Sequence, residues 1–472
     1  MKPQSFPTIF FICNDAERAL GLELVLENFH IVCIDDNPIV DFIKNKGGQV
    51  FCLERELGKL NPIFRNSNKL LQQPSVQEYI SKNTPEGEKP NVAFFKIAPN
   101  LERTCESLGY RILNTTAALN KRFELKLSQY ELLKNSGVHF PKTEVILLGE
   151  SLYSELLQKL GPSFVIQYDR GHTGTGTVFI NSEDDYENER LQFPKRMARV
   201  SEKIEGEVWT LNACVTRFGI VCGGLSYQIT GVPECTSVKG GTVGNDWKMS
   251  KQLSEKDLEQ ISEITKNAGE RMFDDGFRGL FGLDFVIDKS GKVFLIEINA
   301  RQPASTSMHT KLMLQQNLIP LQLLHIVEFL FENDDEYIAF INSILSLNLQ
   351  KEGFRNILQT QNKTAIKSIQ AAQIILRNTE DKKIKITKEF LPGQYSLVEN
   401  SNKSLIRISD GYSITDVQSA EVFLILAVGK GHEVSSGMEI ARIQASCGLV
   451  SDNGKVKSWV LETVSTIKSQ LL

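Results

Sequence analysis

The stretch GLFGLDFVIDKSGKVFLIEINARQPAST, residues 279–306, sets an aspartate and a glutamate inside two apolar runs that otherwise read as buried strands. GLFGLDFVID and KVFLIEINAR are joined by DKSG, whose Gly291 suits a short hairpin loop. Alternation along the first strand puts Leu283, Phe285 and Ile287 on one face and Gly282, Asp284 and Val286 on the other. Along the second strand, Glu297, Asn299 and Arg301 share a face. If the hairpin pairs about its turn, Asp284 and Glu297 are cross-strand neighbours, a like-charge arrangement that costs free energy unless a cation lies between them. Two carboxylates and an amide offer oxygen ligands of the kind that suit Mg²⁺, which keeps waters and takes its remaining ligands from phosphates. Asp284, Glu297 and Asn299 therefore read as a metal-nucleotide site. The plainer alternative is a strand-end acid beside a Glu297–Arg301 surface ion pair.

The rest of the chain bounds this reading. Its 472 residues exceed one core, so several domains are expected. With 53 basic and 57 acidic residues it has no overall basic field, which argues against nucleic acid as a partner. The longest apolar runs, PTIFFIC (7–13) and VFLILAV (422–428), are too short to span a membrane. The first residues lack a signal peptide, so a cytoplasmic location is expected. The eight cysteines are scattered, with no CxxC pair, and read as reduced core residues.

TIFFIC, a helical pattern over residues 15–29 and HIVCIDD suggest a βαβ start to a parallel sheet. The turn CNDAERAL lacks the glycines of a dinucleotide site. QVFCL and NVAFFKI add two strands around a polar insertion or loop, and this domain ends near Asn114. Residues 117–136 read as one helix stopping at Gly137. Residues 254–273 form the clearest helix, with a Ser254/Asp257 capping box and a helical connector over 321–333 further on. Beyond it, 363–376, 404–411 and 422–431 read as strands and 437–450 as a helix, giving a small α+β domain.

Two more stretches suggest a nucleotide. In PSFVIQYDRGHTGTGTVFI (162–180), glycines 171, 174 and 176 with threonines 173, 175 and 177 let backbone N–H groups approach phosphate oxygens. A plain hairpin turn would look similar. In ARVSEKIEGEVWTLNACV (198–215), a polar connector before an alternating strand can offer backbone hydrogen bonds to a flat base.

Together, in this order and spacing, these stretches resemble the ATP-grasp superfamily, which holds ATP between two α+β subdomains. The resemblance implies a Rossmann-like pre-ATP-grasp α/β domain (1–114), an ATP-grasp domain of two subdomains (115–330) and a carboxy-terminal α+β domain (331–472). Asp284, Glu297 and Asn299 match the family's magnesium ligands, and Arg301 matches a basic residue after them that orients the carboxylate or stabilises an oxyanion. Lys126 matches a phosphate-contacting lysine, with Lys121 the alternative. Gly171, Thr173, Gly174, Thr175 and Gly176 match the phosphate-covering loop, and Glu202, Lys203 and Ile204 match the adenine-binding connector.

Two positions depart from the pattern. Gln167 stands where a phosphate-contacting lysine is usual, so charge compensation falls to Lys126 and Arg170. Glu207 lies one place closer to the connector glycine than the usual ribose-binding acid. The resemblance implies an ATP-dependent carboxylate-amine ligase using ATP and Mg²⁺, or Mn²⁺ in its place, acting on small molecules, with room for a homodimer. The alternatives are a biotin-dependent carboxylase-like subunit and a nucleotide-binding module without catalysis. The loop 225–250, with Lys239, has the look of a substrate-facing segment, and His309 is a further candidate for the pocket.

Overall fold

Apolar runs of four or five residues at the start of the chain become strands buried on both faces, as a sheet covered by helices on each side requires. The computed structural model describes residues 6–169, 176–398, 404–417, 419 and 422–472. The first sheet is parallel, in the order Gln49–Cys52, Phe29–Cys33, Ile9–Ile12, Asn91–Phe94, Arg111–Ile112. Phe10, Ile12 and Val32 pack on its own helices, whereas Ile9, Phe11 and Ile31 pack against Leu323, Ile326 and Val327 of the helix Leu321–Leu330.

The largest sheet has ten strands and begins with the acid hairpin: Val293–Asn299, Gly279–Asp288, Gly206–Thr216, Gly219–Thr230, Thr242–Asp246. It continues without a break into Ala372–Arg377, Glu439–Ala445, Phe423–Ala427, Gly393–Val398 and Ser404–Asp410. The helix Glu255–Asp274 covers one face through Leu258, Ile261, Ile264, Ala268 and Met272, and its Ser254/Asp257 capping box is formed. A separate four-stranded sheet runs Thr143–Leu147, Met197–Glu202, Phe164–Gln167, Thr177–Ile180, over a small core of its own.

Several expected elements differ. Residues 15–29 hold two short 3₁₀ turns, Ala16–Ala19 and Leu22–Leu24, in place of a helix. Gly21 between them has φ 124° and lies so close to Thr310 that a side chain would collide with it. The polar insertion contains helices Leu53–Leu57, Ser67–Leu71 and Pro74–Lys82, which carry Leu70, Val76 and Ile80 into the sheet's core. The helix expected over 117–136 is two, Ala117–Glu124 and Lys126–Leu133, parted at an extended Leu125. Residues 363–368 finish the helix Lys351–Ser368, and only Ala372–Arg377 of that stretch is strand. Glu439–Ala445, expected as helix, is a strand buried on both faces between two partners, a case of tertiary pairing overriding local pattern.

Candidate functional site

The hairpin pairs as its turn implies, with Asp284 opposite Glu297 and Gly282 opposite Asn299. Its turn closes through Gly291 at φ 78°, while the Asp288 carboxylate accepts from the N–H groups of Ser290 and Lys292. Strict alternation from Leu295 would carry Glu297 into the core beside it. The register instead shifts between the Asp284 and Phe285 pairs, leaving Ile296 as an extra residue. The bulge lets Leu295 and Ile298 both enter the core while Glu297 and Asn299 stay on the Asp284 face.

Asp284 is held from three directions. Thr210 donates to its Oδ1 at 2.8 Å, Gln228 to the same oxygen at 3.2 Å, and the Asn299 amide to Oδ2 at 3.1 Å. Thr210 is there because Gly206–Thr216 pairs with the acid strand in register, Thr210 against Asp284. Burial, reinforced by the Glu297 charge, pushes the Asp284 carboxyl up to about 7 against the opposing hydrogen bonds and Lys126. Two half-buried carboxylates facing one another, with an amide oxygen beside them, form a hard oxygen donor set that fits Mg²⁺.

Lys126 faces this group. It is buried and opens the helix Lys126–Leu133, and its Nζ lies 3.1 Å from Glu297 Oε1. The break at Leu125 aims it, and the first turn is tied down by the Leu127 N–H, which donates to Asp169 Oδ1 at 3.0 Å. Lys121 is exposed on the preceding helix. Gly137, with φ 71°, lies beyond the end of the second helix.

Arg301 pairs with Glu124, not with Glu297. Glu124 also takes Lys96 Nζ at 2.5 Å, so two cations share one acid in a cleft that Asn114, Asn120 and Gln302 help to line. Burial, with Arg18 nearby, brings Arg301 down to about 10, and burial with Arg301 brings Lys96 down to about 8. Both remain largely cationic at neutral pH. Close by, the 3₁₀ turn Ala16–Ala19 meets the large sheet: Arg442 donates to Glu17 at 2.8 Å and pairs with Glu439, and Ser307 donates to Glu17 at 3.0 Å.

On the small sheet, Gln167 is buried and pairs across to Arg199 on one side and Thr177 on the other. Gly176 accepts from the Tyr168 N–H at 2.9 Å. Arg170, Gly171, Thr173, Gly174 and Thr175 lie outside the described residues. Glu202 ends its strand and accepts from the Lys142 N–H at 2.9 Å, Lys203 pairs with Glu205 at 2.7 Å, and Ile204 is half-buried just before Gly206. Glu207 is not brought to the group. It is exposed, and the alternation of its strand places it with Trp209 and Leu211, opposite the face of Thr210.

His309 is a packing residue: its Nε2 accepts the Gly224 N–H at 2.9 Å, its ring stacks on Trp247, and burial drives it down to about 3. Lys239 is exposed on the turn between Gly219–Thr230 and Thr242–Asp246. Sequence reasoning passed over Lys96, Glu124, Arg199, Thr210 and Gln228. Thr210 carried a signal, since the strand before it could have been placed in register with GLDFVID. The others depend on contacts between distant segments.

The family model of the ATP-grasp domain matches residues 124–305. No curated protein sequence matches the chain. Among solved structures, the biotin carboxylase domain of Hydrogenobacter thermophilus 2-oxoglutarate carboxylase, described in complex with MgADP, ADP and bicarbonate, is similar at TM-score 0.57 and 13% identity over 94% of this chain and 86% of that one. N5-carboxyaminoimidazole ribonucleotide synthetase from Thermotoga maritima is similar at TM-score 0.51 and 15% identity, over 99% of both chains. L-amino acid ligase from Bacillus licheniformis is similar at TM-score 0.53 and 12% identity over 99% and 98%. Residues 124–305 thus match the ATP-grasp domain, and these likenesses show a shared fold that extends beyond it.

Proposed function

We propose that the protein is an ATP-dependent ligase that activates a small carboxylic acid as an acyl phosphate and passes the acyl group to an amine. The observation that carries this reading is the pairing of Asp284 with Glu297 across a hairpin whose bulge turns both toward one face, with Lys126 closing on Glu297. Lys126 Nζ pairs with Glu297 Oε1 at 3.1 Å. Asp284, Glu297 and Asn299 would hold Mg²⁺, which would supply charge neutralisation for the phosphates. Lys126 is then free to turn its ammonium to the phosphates. Gln167 and Gly176 would lie on the phosphate side, and Glu202, Lys203 and Ile204 would edge the base.

The acid's carboxylate oxygen attacks the γ-phosphorus, the bond to the β–γ bridging oxygen breaks, and ADP leaves. An amine then attacks the acyl carbon, loses a proton and expels phosphate. Arg301 is suited to both steps, because a guanidinium grips a carboxylate in the first and a tetrahedral oxyanion in the second. Its pairing with Glu124 keeps it aimed into the cleft between the parallel sheet and the hairpin. The similar structures act on different acids, an amino acid in the L-amino acid ligase and, in the biotin carboxylase complex, a bound bicarbonate. Both classes belong in the test.

Incubation with Mg-ATP, pooled amino acids and bicarbonate, with ADP, phosphate and product masses followed, should show release that needs both an acid and an amine. Tight ATP binding with no release from any pair would leave a nucleotide-binding module instead. Release undiminished in Glu297→Gln would sink the metal assignment.

A further inference from the structure

If nucleotide phosphates lie between the two sheets, as the ligase reading requires, a cation should face them where Gln167 brings none. We propose that Arg199 is that cation, binding the phosphates through the N–H groups that the folded chain leaves unpaired.

Arg199 lies in Met197–Glu202, an inner strand of the small sheet, directly across from Gln167. Its neighbours Ala198 and Val200 point into the small core with Phe164 and Ile166. Alternation therefore turns Arg199 and Gln167 together to the other face, toward the acid hairpin. The contacts agree: Nη2 crosses to the large sheet and donates to the carbonyl of Ile296, the bulge residue, at 2.6 Å. The guanidinium also lies 5.7 Å over the ring of Phe140.

Among the described residues, that carbonyl is the one hydrogen-bond acceptor it meets. Arg199 is 1% exposed, and its Nε and Nη1 have no hydrogen-bond partner among the described residues. Removing a guanidinium from water and leaving two of its nitrogens unpaired is costly, so the arrangement calls for an anion. Lys126 cannot relieve it, and Glu297 acts on Arg199 at a distance while its carboxylate is held by Lys126. Burial lowers Arg199 to about 10 against the opposing pull of Glu297 and Tyr130, which leaves it protonated at neutral pH. A planar fork of donors beside a neutral amide can take phosphate oxygens in two-point geometry, which a single lysine at 167 would not.

The competing role is structural: Arg199 would merely prop the bulge and balance Glu297. Calorimetric binding of ADP and of adenosine, with Mg²⁺ and the full chain, separates the two. Arg199→Gln is expected to weaken ADP about 10- to 100-fold. Adenosine, which has no phosphate, should change less than about threefold, since only phosphate contacts are lost. Adding Gln167→Lys to Arg199→Gln should recover much of the ADP affinity. Arg199→Met, which swaps the charge for an apolar chain of similar length, provides a second variant should the glutamine fail to fold. Equal losses for ADP and adenosine, or unchanged ADP binding in either variant, overturn the proposal. If the unaltered chain binds no ADP, the ligase reading falls and takes this one with it.

Discussion

The two sheets that face each other at the site are built differently. The large one carries its acids on a hairpin backed by an extensive core, with Asp284 fixed by Thr210, Gln228 and Asn299. The small one rests on a compact core of its own around Phe164, Ile166, Tyr186 and Val200, and it carries the buried, under-satisfied Arg199. One side is organised before any ligand arrives, and the other has donors to spare. Under the proposed function, such a division would suit a clamp whose acid-bearing side is rigid and whose opposite side completes its contacts on binding.

The sharpest way to break that comparison is on the rigid side. Glu297→Gln keeps the shape and removes one charge, and acid-dependent phosphate release should fall about 10²- to 10³-fold, with the fold intact by circular dichroism. Arg301→Ala should lower kcat by about 10²-fold while the affinity for ADP holds, and Arg301→Lys should recover only part of the loss, having one charge but no fork. A change confined to KM would place Arg301 in ground-state binding alone.

On the small sheet, Ile166→Ala removes a fully buried side chain and should cost about 2–4 kcal/mol locally. Hydrogen exchange should speed up in Phe164–Gln167 and Met197–Glu202 while Gly279–Asp288 stays protected. Equal loss of protection in both sheets would show one cooperative unit and erase the contrast.

The smallest effect lies outside both facing sides, where His432 Nε2 sits 2.7 Å from Glu54 Oε2 and joins the parallel sheet's helix to the carboxy-terminal region. Burial works against the charged ring, but the hydrogen bonds to Glu54 and Gly429 and the charges of Glu54 and Asp35 outweigh it and raise His432 above its ordinary value. A histidine raised on folding gives stability that is full below its unfolded value near 6.5 and is lost as pH rises through the higher folded value. Glu54 is also buried, yet His432 and two backbone N–H groups hold it low, so its contribution is lost only toward acid. His30, His309 and His325 are lowered by burial and are neutral in folded and unfolded chains above that range. The melting temperature should therefore decline modestly from pH 6.5 to 8.5, and His432→Gln should flatten that slope. A slope unchanged in the variant would assign it to other groups.

Much of the site was legible because its chemistry is local. Asp284, Glu297 and Asn299 stand in apolar strands where acids have no packing role, and a hairpin of that length has few ways to pair. Lys126 came only by resemblance, and the helix around it was misread as continuous, since nothing local announces the break at Leu125. Glu207, one place off the usual ribose-binding acid, is turned away because one residue along a strand reverses the face. The carboxy-terminal strand Glu439–Ala445 was unreadable as such, because burial on both faces erases the alternation that marks a strand.

The sequence by itself brought Asp284, Glu297 and Asn299 together as one oxygen donor set, through residue type and spacing. Tertiary structure alone decided that a bulge at Ile296 lets Leu295 and Ile298 both enter the core while Glu297 stays opposite Asp284, because a bulge is a property of strand pairing, and that Arg199 stands beside Gln167, because residues 32 apart meet only through register.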